Sequence, residues 1–271
     1  MKKKIKELQE IPLRPMFPNM VTMLNLCCGV TSMSFAVWGM WKEAIWAIAL
    51  GGIFDLLDGR VARMLNTSSK LGAELDSLSD CVSFGVAPGF LLYQWTMNQT
   101  LRADAIAGGV KDVAAVGVPW WVVLFLAMCC AWRLARFNTM LDAKTPSYWT
   151  HFFMGLPAPG GAYLALMPLI FYLWSGSEFF RSVPVVCGFM IAAGILMASR
   201  IPTPCFKKVH MPKLPSAFSQ AAGLIALALL ALLVMMLIKN FWMVLSIIGI
   251  IYLIMLPLGI MLFIKLRRQE V

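Results

Sequence analysis

Four aspartates at helical spacing form the strongest candidate for a chemical site in this sequence. Asp55 and Asp58 are three positions apart, and Asp76 and Asp80 are four apart, so each pair falls on one face of a helix. The polar stretch 66–70 is short enough to serve as a turn between the two segments. We therefore expect two neighbouring antiparallel helices that bring the four carboxylates to one point.

Carboxylates this close together repel one another unless a positive charge lies among them. Oxygen ligands without histidine or cysteine favour hard cations, so the expected cofactor is Mg²⁺ or Mn²⁺, with Ca²⁺ an option in one site. Two such ions would neutralise the aspartates and clamp a pyrophosphate during an in-line displacement. The alternative is a structural set of ion pairs between the aspartates and Arg60, Arg63 and Lys70.

Small residues border the aspartates on both segments. Gly59 and Ala62 follow the first pair, and Gly72 lies on the same stripe as Asp76. They leave room for a neighbouring helix or a ligand to approach the backbone. Arg63, one turn beyond Gly59, offers a planar set of donors that suits phosphate. These features favour a ligand that bears phosphate groups.

The elements that must position this cluster are apolar helices. Sixty per cent of the 271 residues are hydrophobic and 13% are charged, whereas a soluble domain has about 25% charged residues. A spanning helix needs about 20 mostly apolar residues. The sequence contains eight such segments: Phe17–Met40, Ala44–Met64, Leu71–Met97, Pro119–Leu141, Phe153–Trp174, Ser182–Ser199, Ala217–Ile238 and Phe241–Ile264. We predict an all-α, polytopic membrane helix bundle that forms a single domain over residues 1–271.

Basic residues predict the orientation of this bundle. With eight crossings and a cytoplasmic N-terminus, most of the 23 Lys and Arg residues lie on the cytoplasmic side, as is usual for membrane proteins. The residues left outside are Lys42, Arg102, Lys111, Arg181 and Lys239. Both termini and the aspartates are thus expected on the cytoplasmic side of the cell (inner) membrane. The net charge of +10 fits this orientation and an attraction to membrane lipids, rather than nucleic-acid binding.

Two further groups of polar residues lie in other segments. Asn19, Thr22 and Asn25 form a stripe on the first segment, where they could line a nucleotide pocket or hydrogen-bond between helices. Arg133 and Arg136 lie on one face near the cytoplasmic end of the fourth segment. Their guanidinium groups could bind a carboxylate or a phosphate, or they could serve only as a topological anchor.

The acidic motif as a whole resembles the signature of the CDP-alcohol phosphatidyltransferase family. It reads D-x2-D-G-x2-A-R-x8-G-x3-D-x3-D from Asp55 to Asp80, and every position of the signature is present. The resemblance implies an integral membrane enzyme with a two-metal site, in which an alcohol displaces CMP from a CDP-linked lipid. It also implies a six-helix core, here at about 15–200, an added helix pair at about 217–264, and a homodimer.

The resemblance assigns roles to individual residues. Asp55, Asp58, Asp76 and Asp80 would hold the metals, and Asp80 would also accept the proton of the incoming hydroxyl. Contacts to the CDP-lipid are implied for the following residues, the last two being further candidates from the first segment: Asp58, Gly59, Arg63, Ser69, Gly72, Asn19 and Thr22.

Three stretches elsewhere resemble the branch of this family whose alcohol is L-serine. They are PNMVTMLNLCCG (Pro18–Gly29), CAWRLARFN (Cys130–Asn138) and FMGLPAPGGA (Phe153–Ala162), and the stretch DSLSDCVSFGVAP (Asp76–Pro88) at the end of the motif resembles the same branch. The implied substrates are CDP-diacylglycerol and L-serine, and the implied products are phosphatidylserine and CMP. Candidates for binding serine or a phosphate are Arg133, Arg136 and Asn138.

Two alternatives to this function stay open. The same chemistry could act on another alcohol, such as glycerol 3-phosphate or an inositol phosphate. The aspartates could instead bind an ion in a divalent-cation or lipid transporter. Transporters commonly have two repeated halves, and the sequence has no second copy of the acidic motif, which favours the enzyme.

Overall fold

The computed structural model of the protein describes residues 13–64, 69–107, 118–140, 152–199, 201–204 and 240–255. Its helices in these ranges are α1 (Leu13–Val37), α2 (Trp41–Met64), α3 (Lys70–Asp80), α4 (Ala87–Ala107), α5 (Trp120–Met140), α6 (Ala158–Ser175), α7 (Val183–Ala198) and α8 (Asn240–Met255). A π-helical segment, Cys81–Val86, continues α3 into α4, and a 3-10 helix, Glu178–Arg181, lies between α6 and α7.

The predicted class, a helical integral membrane protein, is confirmed. By length and composition, three stretches of the described residues are long and apolar enough to cross a membrane: Pro18–Val37, Lys70–Met97 and Trp120–Thr139. The apolar helices α7 and α8 are shorter. The count of eight crossings stays a prediction, and the seventh predicted segment lies outside the described residues.

One predicted helix start is wrong. The apolar pattern predicts that the fifth segment is helical from Phe153, but Phe152–Met154 is a strand, β1, which pairs antiparallel with β2, Pro202–Pro204. Gly155 follows with a φ of 78°, a left-handed conformation that glycine adopts without steric cost. Because this turn redirects the chain, the helix begins at Ala158. Over the described residues the fold is helical apart from this two-stranded ribbon, so the predicted all-α class is confirmed.

The core of the bundle is formed by α4, α5, α6 and α7. Most of α6 is buried, and the largest fully buried side chains on the other helices include Trp95, Leu126 and Met190. Helix α1 packs along α2 and also contacts α3, α4 and the π-helical segment. It therefore lies against both helices that bear the aspartates.

The crossing of α1 and the π-helical segment depends on a glycine. A Cβ atom added to Gly29 would lie 2.5 Å from Ser83 Oγ and 2.8 Å from Ser83 Cα. Since the second atom belongs to the backbone, Gly29→Ala should push the helices apart and lower the free energy of unfolding by about 1–3 kcal/mol. Thermal unfolding of the purified protein measures this effect.

Gly188→Ala is the matched control for this prediction. Gly188 is an exposed residue of α7, and nothing lies within 4 Å of an added Cβ atom. This substitution should leave the melting temperature unchanged or raise it slightly, because alanine favours a helix over glycine. Equal melting temperatures for Gly29→Ala and the wild type would contradict the close crossing.

Candidate active site

Three carboxylates from two helices converge in the structure. Asp55 lies on α2, and Asp76 and Asp80 lie on α3. One oxygen of each lies within 4.8 Å of the others, a spacing at which they could hold a metal ion. Asp80 is buried, with 6% of its surface exposed, and the other two are partly buried. The predicted approach of the two helices is therefore present, and we call these three residues the aspartate cluster.

Asp58 borders the aspartate cluster without belonging to its three-oxygen group. It is 5% exposed, and the Thr22 hydroxyl donates a hydrogen bond of 2.7 Å to its Oδ2 atom. Its charge interacts with those of Asp55 and Asp76. It thus adds a fourth negative charge to the same region.

Polar residues of α1 hold the helix that bears Asp80. Asn25 Nδ2 donates to Asp80 Oδ1 at 3.0 Å. The hydroxyls of Ser79 and Ser83 donate to the carbonyl oxygens of Thr22 and Asn25, at 3.0 and 2.9 Å. The polar stripe of α1 was predicted either to line a nucleotide pocket or to form hydrogen bonds between helices. The structure shows the second role for Thr22 and Asn25. The two serines had no distinguishing spacing in the sequence.

The start of α3 is built from other predicted residues. Ser69 caps the helix, since its Oγ atom accepts a hydrogen bond of 3.0 Å from the Gly72 backbone N–H. Asn19 Oδ1 lies 3.1 Å from the position of a Cβ atom added to Gly72. Gly59 is exposed, with open space where its side chain would be. The side chain of Arg63 lies outside the described part of the chain.

Helix α5 brings one arginine to the aspartates. Arg133 is partly buried, and its guanidinium interacts electrostatically with Asp55 and Asp80. Further along the same helix, Asn138 Nδ2 donates a hydrogen bond of 2.9 Å to Ser77 Oγ of α3. Both predicted residues thus lie where α5 faces the acidic helix.

Arg136 has a different environment. Its Nη1 and Nη2 atoms donate to the carbonyl oxygens of Ala198 and Ser199, at 2.8 and 2.7 Å. These carbonyls end α7, where backbone acceptors lack partners within the helix. The structure therefore gives Arg136 a role in capping α7, although its sequence spacing had paired it with Arg133.

The atoms left without partners suit a cation. Asp76 Oδ1 and Asn25 Oδ1 are buried acceptors with no hydrogen bond. Most buried polar groups in proteins are paired, and clustered carboxylates need a compensating positive charge. An all-oxygen set of this kind fits a hard divalent cation. Arg133 Nε is also buried without a partner, which leaves a donor available for an anionic ligand.

The fold and this site define an integral membrane helix bundle with a carboxylate cluster that could hold a divalent cation. The sequence profile of the family described as "CDP-alcohol phosphatidyltransferase" matches residues 15–204, more than half of the chain. The chain belongs to this family.

Several relatives share one name, "CDP-diacylglycerol--serine O-phosphatidyltransferase". The chain is 38% identical to that protein of Mycobacterium leprae over 203 residues, which are 74% of this chain and 61% of the relative. It thus spans less than two thirds of the relative's length. It is 33% identical to the Helicobacter pylori (strain J99) protein over 206 residues, 73% of this chain and 77% of that protein. The Saccharomyces cerevisiae protein is 38% identical over 170 residues, 56% of this chain and 55% of its own length.

Proposed function

We propose that this protein transfers the phosphatidyl group of CDP-diacylglycerol to the hydroxyl of L-serine, giving phosphatidylserine and CMP. The observation that supports the chemistry is the convergence of Asp55, Asp76 and Asp80 in a member of the CDP-alcohol phosphatidyltransferase family. The choice of serine is supported by the shared name of the relatives.

The reaction needs a base for a weak nucleophile. The serine oxygen forms a bond to the phosphorus that bears the diacylglycerol, and the bond from that phosphorus to the bridging oxygen breaks, leaving its electron pair on CMP. Asp80 accepts the proton of the serine hydroxyl. The Asn25 amide, which donates to Asp80 Oδ1, holds the carboxylate in place.

We assign the divalent cations to Asp55, Asp58, Asp76 and Asp80. Mg²⁺ or Mn²⁺, with Ca²⁺ an option in one site, would neutralise the pyrophosphate and stabilise the charge on the leaving group. The fit rests on the all-oxygen cluster and on the unpaired oxygen of Asp76. Thr22 orients Asp58 through its hydrogen bond.

We assign the substrates to opposite sides of the aspartate cluster. The CDP-lipid lies along α2 and the start of α3, where Gly59 leaves open space and the motif supplies Arg63 and Ser69. Serine lies toward α5, where the buried, unpaired Nε of Arg133 can donate to its carboxylate.

The test of this function is CMP release by the purified protein from CDP-diacylglycerol with a panel of alcohols. We expect release to depend on L-serine, and much less on glycerol 3-phosphate or inositol phosphate. Preference for another alcohol would support the proposed phosphatidyl transfer but would contradict L-serine as the substrate. Cation flux into vesicles without any CMP release would favour a transporter.

A divalent cation should stabilise the folded protein, because a ligand that binds only the native state raises its stability. We expect Mn²⁺ or Mg²⁺ to raise the melting temperature of chelator-treated protein, and Asp76→Asn to remove most of this increase. Glu74→Gln, an exposed acid of the same helix, should keep it. An equal increase in Asp76→Asn would contradict the proposed ligand set.

We infer eight crossings of the cell (inner) membrane, with both termini and the aspartates on the cytoplasmic side, from the distribution of basic residues. In a variant without native cysteines, single cysteines near Lys70, Lys144 and Lys208 should react with an impermeant reagent from the cytoplasmic side. Those near Arg102 and Lys239 should react from the outside. Labelling near Lys70 and Lys239 from the same side would contradict eight crossings.

We further infer that residues 1–271 form a single domain. We also infer that the protein works as a homodimer, as the family resemblance implies. The exposed apolar side chains of α1 and α2 leave a broad surface for membrane lipids or a second copy. Light scattering of the protein in detergent measures the mass, and a monomeric mass for active protein would contradict the dimer.

A further inference from the structure

Asn25 of α1 lies between the two helices that bear the aspartate cluster. Its side chain is fully buried, and its Nδ2 atom donates to Asp80 Oδ1 at 3.0 Å. On the other side of the amide group, a Cβ atom added to Gly51 would lie 2.8 Å from Asn25 Oδ1. Gly51 precedes Asp55 by one helical turn on the same face of α2. The amide therefore contacts Asp80 on α3 and, on α2, the turn before Asp55.

The chemistry of the amide group decides which of its ends faces each helix. A carboxylate and a side-chain carbonyl oxygen both accept hydrogen bonds, so only the Nδ2 end can bond to Asp80. Asn25 Oδ1 then faces Gly51 and has no hydrogen-bond partner. Only a hydrogen atom of Gly51 lies in the direction of this oxygen, and a Cα–H group is a weak donor. The amide can lie this close to α2 because position 51 has no side chain.

The backbone around Asn25 is held by the residues that flank Asp80. Ser83 Oγ donates to the Asn25 carbonyl oxygen at 2.9 Å, and Ser79 Oγ donates to the Thr22 carbonyl oxygen at 3.0 Å. These bonds join α1 to α3 and to the π-helical segment. The remaining freedom of Asn25 is rotation of its side chain, which is limited by Asp80 on one side and by Gly51 on the other.

We propose that Asn25 and Gly51 act together as positioning residues for Asp80. The proposal rests on the proposed function, in which Asp80 accepts the proton of the alcohol. Gly51, which lies outside the acidic motif, lets the amide lie close to α2. The amide in turn holds the Asp80 carboxylate in the orientation that the incoming hydroxyl needs. A reacting group that is displaced by part of an ångström loses much of its effect on the rate.

The first test compares Gly51→Ala with Gly52→Ala in the purified full-length protein, with CMP release from CDP-diacylglycerol and L-serine as the readout. The two glycines are neighbours on α2, but a Cβ atom added to Gly52 would meet only ring carbons of Phe84, at 3.9 Å. Gly51→Ala should lower kcat about threefold or more and change both KM values little, because it displaces the amide and not a substrate contact. Gly52→Ala should keep the kcat of the wild type.

The second test asks whether Gly51 acts through Asn25. Asn25→Ala should lower kcat about 10- to 100-fold, the loss expected for one hydrogen bond to a charged group. In this background Gly51→Ala should lower kcat little further, since Oδ1 is gone and the next nearest atom, Cys28 Cβ, is 3.4 Å from the added Cβ atom. No loss of kcat in Asn25→Ala or in Gly51→Ala, or an equal loss from Gly51→Ala with and without Asn25, would overturn the positioning role.

The third test asks whether Asn25 acts through Asp80. In an Asp80→Asn background, Asn25→Ala should reduce the residual kcat little further, because no general base is left to position. A further loss as large as that in the wild-type background would overturn the role. Each kcat is measured well below the melting temperature of the variant, so that unfolding does not contribute. No CMP release from the wild type would instead overturn the proposed function, and the role of Asn25 and Gly51 with it.

Discussion

Asp80→Asn is expected to lower the rate of CMP release by about 100- to 10,000-fold, the contribution typical of a general base. The substituted side chain keeps an oxygen that can accept the hydrogen bond from Asn25, so the fold should persist. It cannot accept the proton of the serine hydroxyl. The measurement is steady-state CMP release at saturating substrates.

Two controls separate this effect from misfolding. Glu74→Gln removes an exposed acid from the same helix and should retain activity. The melting temperature of metal-free Asp80→Asn should equal or exceed that of the wild type, because the substitution removes one charge from clustered carboxylates that repel one another. Normal turnover of the Asp80→Asn protein would exclude Asp80 as the base.

Arg133→Lys is expected to raise the KM for serine about tenfold or more, since lysine keeps the charge but loses the planar donors that bind a carboxylate through two hydrogen bonds. The KM for CDP-diacylglycerol should change little. A higher KM with an unchanged kcat indicates the loss of an interaction that binds the substrate equally well in the ground state and in the transition state.

Arg136→Lys is the comparison variant for this prediction. Its guanidinium holds the carbonyl oxygens of Ala198 and Ser199, so we expect a lower melting temperature and a smaller change in the serine KM. A rise in the CDP-diacylglycerol KM of Arg133→Lys would instead place Arg133 against the pyrophosphate. If neither KM changes, Arg133 has no part in substrate binding.

The aspartate cluster could be predicted because its information is local. The spacing of Asp55 and Asp58, and of Asp76 and Asp80, fixes the helix face of each carboxylate, and the short turn makes the two helices neighbours. Spacing did not reveal that Asp58 would bond to Thr22 while the other three converged. That difference arises from the position of α1, a long-range contact.

Other features depend on contacts that an apolar sequence hardly encodes. The strands β1 and β2 are three residues each, and β2 is bounded by two prolines, which usually argue against a strand. The approach of α8 to α6 depends on the glycines Gly160 and Gly249, which look like any other small residues of a membrane helix. Arg136 shares a helix face with Arg133, so spacing alone could not assign it to the end of α7.

The most direct test of the central claim uses L-serine labelled with ¹⁸O at its hydroxyl. If the serine oxygen attacks the phosphorus, mass spectrometry of the products will find the ¹⁸O in phosphatidylserine and none in CMP, and Asp80→Asn will form almost no labelled lipid. CMP release without a lipid that contains the labelled serine would contradict the proposed transfer.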